Sequence, residues 1–175
     1  MDLMQIMMNR RSVRKYTAEP VSDAEIQQIL SAGMLAPSGK GKRPWEAVVV
    51  RDRKMLDELV GCRAGGAKML SGAPAAIVVF SDSELTDTYV EDSSLFMGNM
   101  HMMASDMGLG SCWLQVRLRP SDKEGVTSEE YVRSLIGAPE KMMPEAILVI
   151  GHIEKKPEPN KLPEFPNEKI HQEKW

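Results

Sequence analysis

Arg10, Arg11 and Arg14 fall within five residues around Ser12, directly after the apolar stretch Leu3 to Asn9. Guanidinium forks and a hydroxyl match the oxygens of a phosphate, and such charge-assisted contacts exceed neutral hydrogen bonds in strength. A solvated basic turn is the plainer reading of the same residues. A second region runs Ala36-Pro37-Ser38-Gly39-Lys40-Gly41-Lys42-Arg43-Pro44-Trp45. Its two glycines and serine let backbone amides approach a ligand, and three cations add positive charge. It reads equally as a helix-to-strand loop. The familiar nucleotide loops fail. Gly61 and Gly66 have P-loop spacing, but Ala67 stands where Lys belongs, and Gly108-Leu109-Gly110 precedes a strand rather than opening a helix. No GxSxG elbow and no HExxH occur. No protein nucleophile, acid or base is singled out, and no histidine zinc site is expected.

The elements that must carry these residues follow from periodicity. Leu3 to Asn9 suits a short helix against a core. Ser22-Asp23-Ala24-Glu25 is a capping box, and the helix after it places Ile26, Ile29, Leu30, Gly33 and Met34 on one stripe before Pro37 stops it. Strands are expected at Trp45–Val50, Ala75–Ser81, Ser111–Val116 and Glu145–Ile153. Helices are expected at Asp52–Val60, Tyr89–Met107 and Ser128–Ile136, closed by Gly61, Gly108 and Gly137. On the long helix, Leu95/Phe96, Met100, Met103/Ala104 and Met107 form the apolar face. Beyond Ile153 the pattern changes, with four prolines, many charges and the spaced anchors Leu162, Phe165, Ile170 and Trp175. That composition suits either a loose tail or an arm laid on another surface, and the anchors favour the arm.

Composition narrows the class. With 175 residues and 22 basic against 25 acidic side chains, the chain allows one domain with one real core. The net charge of −3 argues against nucleic-acid binding. No apolar run is long enough to span a membrane, and the N-terminus does not read as a secretory signal. Cys62 and Cys112 form neither a CxxC nor a metal spacing, so a reducing, cytoplasmic location fits. Fourteen methionines against nine aromatic residues suggest an adaptable core or binding surface.

Taken in order, these segments resemble the short, single-domain members of the nitroreductase family. The likeness rests on Arg10-Arg11-Ser12-x-Arg14-x-Tyr16, on Ala36-Pro37-Ser38 with Pro44-Trp45 before a Val-rich strand, and on Asn99 in a helix ending at Gly108-Leu109-Gly110-Ser111-Cys112-Trp113. A late Ala-Ile-Leu-Val-Ile-Gly strand and a Pro-rich tail ending Ile170-His171-x-x-Lys174-Trp175 complete it. It spans essentially the whole chain. The resemblance implies an α+β fold, with a central mixed, largely antiparallel sheet flanked by helices. It implies an FMN-binding domain over 1–153 and an extended C-terminal arm, 154–175, packing on the partner of a homodimer.

The resemblance also implies a cofactor and its ligands. Arg10, Arg11 and Ser12 would hold the FMN phosphate, and Arg14 and Lys68 would approach the pyrimidine side of the ring. Pro37, Ser38, Gly39, Lys40 and Gly41 would come from the other subunit. Trp113, Leu114 and Gln115 would pass the flavin, with a backbone amide near N5. Asn99 is expected to be structural. Departures are Gly41 where many relatives have Asn, Arg43 where they have Gln, and only Lys161 and Lys169 where a tail Arg commonly completes the phosphate site. The implied activity is NAD(P)H oxidation in ping-pong fashion, with a nitroaromatic, quinone or similar flat acceptor. A flavin carrier or flavin-modifying protein is one alternative. A soft-metal protein built on Met97-Gly98-Asn99-Met100-His101-Met102-Met103 is another, because thioethers and imidazole suit Cu(I). The methionines Met97, Met100, Met103 and Met107 suit either packing across a two-fold axis or an intrachain core.

Overall fold

The computed structural model describes residues 2–161 and 167–175. Element order is α1 (Leu3–Asn9), α2 (Asp23–Met34), β1 (Trp45–Val50), α3 (Arg53–Leu59), β2 (Ala75–Asp82), α4 (Tyr89–Asp106), β3 (Gly110–Gln115), α5 (Ser128–Ile136) and β4 (Met142–Gly151). The four strands form one sheet in the order β1-β2-β4-β3, with every ladder antiparallel. The parallel contribution is a single bridge, Ser12 to Ser111, which lays the N-terminal basic run along the β3 edge. Val13 N–H donates to the Ser111 carbonyl at 2.9 Å and Thr17 N–H to that of His152 at 2.9 Å. The otherwise open edge of the sheet is covered by the segment that carries the arginines.

Both sheet faces are buried, so β2 reads as a continuous apolar run rather than an alternation. Ile77, Val79, Leu148 and Ile150 face α2 and α4 in one core cluster. Val78, Phe80, Ile147 and Val149 face the other cluster, with Leu56 and Leu59 of α3 and Val132 of α5. Within the first cluster Phe96 stacks on Trp45 with centroids 5.3 Å apart. The Ser22–Glu25 capping box opens α2, and a second box, Thr127 with Glu130, opens α5. The N-cap is therefore Thr127, and Ser128, the expected start, is the first helical residue.

Several expectations are corrected. The helix α1 forms, capped by Asp2, yet none of its residues is buried; Leu3, Met4 and Met7 are exposed. Met34 and Leu95 also turn outward, each one residue and so about 100° from a fully packed neighbour, Gly33 or Phe96. Met97 and Met100 are fully buried in the chain's own core, as the intrachain reading expects, and Met103 and Met107 pack on it while staying partly exposed. The strand β4 starts at Met142 rather than Glu145 despite Pro144, because the register shifts there: Val79 pairs with Ala146 but Phe80 with Pro144. Glu145 is the extra residue of this bulge. In the tail, Leu162 and Phe165 lie outside the described residues. The preceding stretch docks on its own chain: Asn160 donates its N–H to the Met8 carbonyl at 2.7 Å and its side-chain amide to that of Arg10 at 3.3 Å.

The crossing of α2 and α4 is closest at Gly33. An added Cβ there would lie 2.8 Å from the Phe96 ring and 2.9 Å from Met100 Cγ, and Phe96 is already pinned by Trp45. Helix propensity alone favours Ala over Gly by about 1 kcal/mol. Overpacking is expected to outweigh this, leaving Gly33→Ala less stable by about 1–2 kcal/mol in urea melts. A midpoint at or above that of the unsubstituted chain would show that α4 yields.

Candidate functional site

Three stretches of the sequence meet at the β3 edge. The Tyr16 hydroxyl, buried between strand and turn, donates to the Val13 carbonyl at 2.6 Å and lies 3.3 Å from that of Val149. With the Ser12–Ser111 bridge this fixes the path of the basic run, and the side chains then diverge. Arg10 reaches inward to α4, where Nη1 lies 2.9 Å from His101 Nε2. Arg11 turns toward the tail and donates to the Glu158 carbonyl at 2.6 Å. Arg14 stays over its own turn, 3.5 Å from the Ser12 carbonyl.

Arg14 borders a cleft of about 410 Å³ shared with Gly65, Gly66, Lys68 and Met69. Lys68 begins the 3-10 turn Lys68–Gly72, which Leu70 anchors in the core. Arg53 holds that turn from below, donating to the carbonyls of Leu70 at 2.7 Å and Ala73 at 3.0 Å. Arg14 and Lys68, far apart in sequence, therefore face one space. Arg11 borders a second cavity of about 290 Å³ with Asn9, Ser111 and Lys156. The tail cation placed beside Arg11 is thus Lys156, rather than the expected Lys161 or Lys169. Among the described residues, Arg10, Arg11, Arg14 and Lys68 enter no ion pair, whereas Arg51, Arg53 and Arg117 pair with Asp23, Asp57 and Glu145.

The strand β3 carries the remaining expected residues, Trp113, Leu114 and Gln115, none of which borders either cavity. Its pleat sends Leu114 fully into the core, so only its backbone is available to a ligand. Trp113 and Gln115 are half-buried, and the Trp113 indole N–H donates to Gln115 Oε1 at 2.8 Å. Gln115 Nε2 in turn donates to Glu145 Oε1 at 3.2 Å, which Arg117 flanks. Burial pushes the Glu145 carboxyl up, against the opposing pull of Gln115 and Arg117. Glu145 and Arg117 were not foreseen, because the bulge that turns Glu145 toward Gln115 depends on strand pairing.

The Pro37–Gly41 loop lies elsewhere. Gly39 N–H donates to Asp92 Oδ1 at 2.9 Å, Thr88 holds the other oxygen at 3.1 Å, and a Cβ on Gly39 would collide with Thr88 Oγ1. Lys40 and Arg43 take left-handed backbone, at φ 53° and 51°, which costs a non-glycine residue roughly 1–2 kcal/mol each. Asp92 and His101 are nine residues apart on α4, roughly 14 Å along its axis. Within one chain the loop and Arg10 therefore sit toward opposite ends of α4.

The soft-metal alternative is overturned by packing. Met97 and Met100 are wholly inside the core, and both His101 nitrogens are engaged, Nε2 by Arg10 and Nδ1 by Ser111 Oγ at 2.6 Å. Asn99 is structural, although across elements: its amide donates to the Ala32 carbonyl on α2 at 3.1 Å. Burial pushes both thiols up, Cys62 to about 12, leaving no thiolate nucleophile at neutral pH. No described helix is long and apolar enough to cross a membrane.

Comparison with known proteins finds likeness along nearly the whole chain. The Nitroreductase family model matches residues 7–62 and 61–152. A protein of Methanothermobacter thermautotrophicus, named provisionally as an NADH dehydrogenase/NAD(P)H nitroreductase, is 35% identical over 100% of this chain and 88% of its own. One of the same provisional name from Archaeoglobus fulgidus is 34% identical, covering 99% of both chains. Among solved structures, an FMN-dependent nitroreductase from Clostridium difficile superposes with a TM-score of 0.93 at 35% identity, over 99% of this chain and 100% of that one.

His101 gives a test of the site's electrostatics. Burial, and then the Arg10 charge, push its imidazole down to about 4 from the ordinary 6.5. Between those values the unfolded chain binds a proton that the folded chain refuses, so stability is full above about pH 6.5 and falls as pH drops toward 4. In urea melts at pH 7 and 4.5, the unsubstituted chain is expected to lose about 2 kcal/mol more than His101→Gln. Equal losses would show that His101 is not the titrating group.

Proposed function

From the premise that this chain belongs to the nitroreductase family, a family of NAD(P)H-dependent oxidoreductases, we propose that it binds FMN and oxidises NADH or NADPH. The observation that carries the reading is the convergence of Arg14 and Lys68 on one cleft beside Gly65 and Gly66, with no carboxylate among the described residues paired to either cation. The donor set fits the group. Arg10, Arg11 and Ser12, joined by Lys156, would hold the phosphate. Arg14 and Lys68 would lie along the pyrimidine edge, and the backbone of Trp113, Leu114 and Gln115 would flank the ring. Bound FMN would supply the hydride chemistry that no side chain here provides.

The protein's contribution is binding, orientation and charge. Unpaired cations at the pyrimidine edge stabilise negative charge there, and they act more strongly in a partly desolvated cleft than in water. The nicotinamide and a flat acceptor, such as a nitroaromatic or quinone, would occupy one surface in turn, as ping-pong exchange requires. Two buried cysteines fit a reducing, cytoplasmic setting.

The same reading needs a second copy. Pro37, Ser38, Gly39, Lys40 and Gly41 lie toward the far end of α4 from Arg10, so a homodimer with shared sites brings this loop from the partner. The exposed apolar residues Leu3, Met4 and Met7 of α1, Met34 at the end of α2, Leu35 just after it, and Leu95 of α4 would supply the interface. Trp175, fully exposed and 4.4 Å from the His171 ring, would end an arm laid on that partner.

Purified protein is expected to be yellow and to bleach on anaerobic addition of NADH or NADPH. A flavin carrier would stay coloured. Arg14→Ala should lower the flavin potential by roughly 30–60 mV and slow reduction in stopped flow. Unchanged potential and rate would remove Arg14 from that role. In sedimentation at micromolar concentration the chain should run at twice its mass, and Leu95→Asp should shift it toward the monomer and weaken flavin retention. A monomer with full flavin content would refute the shared site.

A further inference from the structure

We propose that His101 is a positioning residue for anion binding, orienting the Arg10 guanidinium through an uncharged acceptor that leaves the cation's charge whole. The inference rests on Arg10 being a phosphate ligand. Arginine has only donors, so in the 2.9 Å contact Nη1 donates and His101 Nε2 accepts. A neutral imidazole then carries its one hydrogen on Nδ1, which faces Ser111 Oγ at 2.6 Å. Ser111 is itself fixed: it is buried in β3, and its carbonyl takes the Val13 N–H at 2.9 Å. Sheet, serine, imidazole and guanidinium therefore form one continuous tether.

The choice of acceptor is what gives the tether its use. Arg51, Arg53 and Arg117 in this chain are each held by a carboxylate, which orients them and offsets their charge. Arg10 is oriented by a group without charge. Burial and the neighbouring guanidinium keep the imidazole neutral at physiological pH. A fixed arginine has already lost much of its rotamer freedom, so an incoming phosphate need not order it. Position is thus supplied without loss of electrostatic attraction. Nothing along the chain marks this role, since His101 stands in a methionine-rich helix far from the basic run.

The test compares FMN with riboflavin, which lacks the phosphate, by fluorescence quenching on flavin-free full-length chain. The unsubstituted protein should prefer FMN. His101→Leu, which fills similar space but accepts no hydrogen bond, should weaken FMN by about tenfold while leaving riboflavin within about twofold. His101→Gln, whose amide oxygen can accept from Arg10, should recover most of the loss. Folded His101→Leu with an undiminished FMN preference overturns the tether while leaving the phosphate reading intact. Equal affinity of the unsubstituted chain for both flavins overturns the phosphate reading itself, and the tether with it. Nitrogen-15 NMR of the unsubstituted chain at pH 7 provides a check independent of folding variants. It should find the imidazole hydrogen on Nδ1, and a hydrogen on Nε2 would overturn the tether.

Discussion

The bridge between Ser12 and Ser111, with the Val13–Ser111 hydrogen bond beside it, sets the path of the run that carries Arg10, Arg11 and Arg14. Without it the basic run is a flexible turn whose guanidinium groups sample many directions. Once laid against β3, the run has alternating side chains whose destinations are determined by the strand's pleat and neighbours. Arg10 meets α4, Arg11 meets the returning tail, and Arg14 overhangs the turn that carries Lys68. The same contact shields an exposed strand edge, so one interaction serves both stability and site geometry.

The helix α4 acts as a ruler between the Gly39 loop and the basic run. Its first turn presents Asp92, which anchors the Gly39 loop, and a later turn presents His101, which holds Arg10. A rigid helix keeps these features apart. A loop held in left-handed backbone at Lys40 and Arg43 retains that strain only because Asp92, Thr88 and Ser38 over-determine it. The buried methionines stiffen the ruler by filling the core beneath it, while the apolar residues left outside, from α1, α2 and Leu95, border neither core.

Electrostatically the arginines are held in different ways. Arg51, Arg53 and Arg117 sit with carboxylates, and the gain is modest for the exposed pairs of Arg51 and Arg53. Those at the β3 edge are held by carbonyls or an imidazole, so their charge remains available despite the chain's slight overall acidity. Local arrangement, rather than net charge, creates the positive region. Composition alone therefore points away from nucleic acid, while the spacing of Arg10, Arg11 and Arg14 points toward a phosphate.

What the sequence determined by itself was everything governed by neighbours along the chain. The Ser22 box, the stop before Pro37, the Val-rich β1 and the apolar β2 are local energies, so their elements were legible to within a residue or two. Order along the chain also carried the family resemblance, because each motif keeps its place relative to the elements. The tertiary structure alone decided which residues meet: that Lys68 faces Arg14, that Lys156 rather than a later lysine shares Arg11's cavity, and that Glu145 leaves the ladder to meet Gln115. It also decided that the methionine face of α4 points inward and that α1 buries nothing. Periodicity identifies an apolar stripe but not its partner. A contact between distant segments depends on strand register and on loop closure, and neither leaves a trace in local sequence.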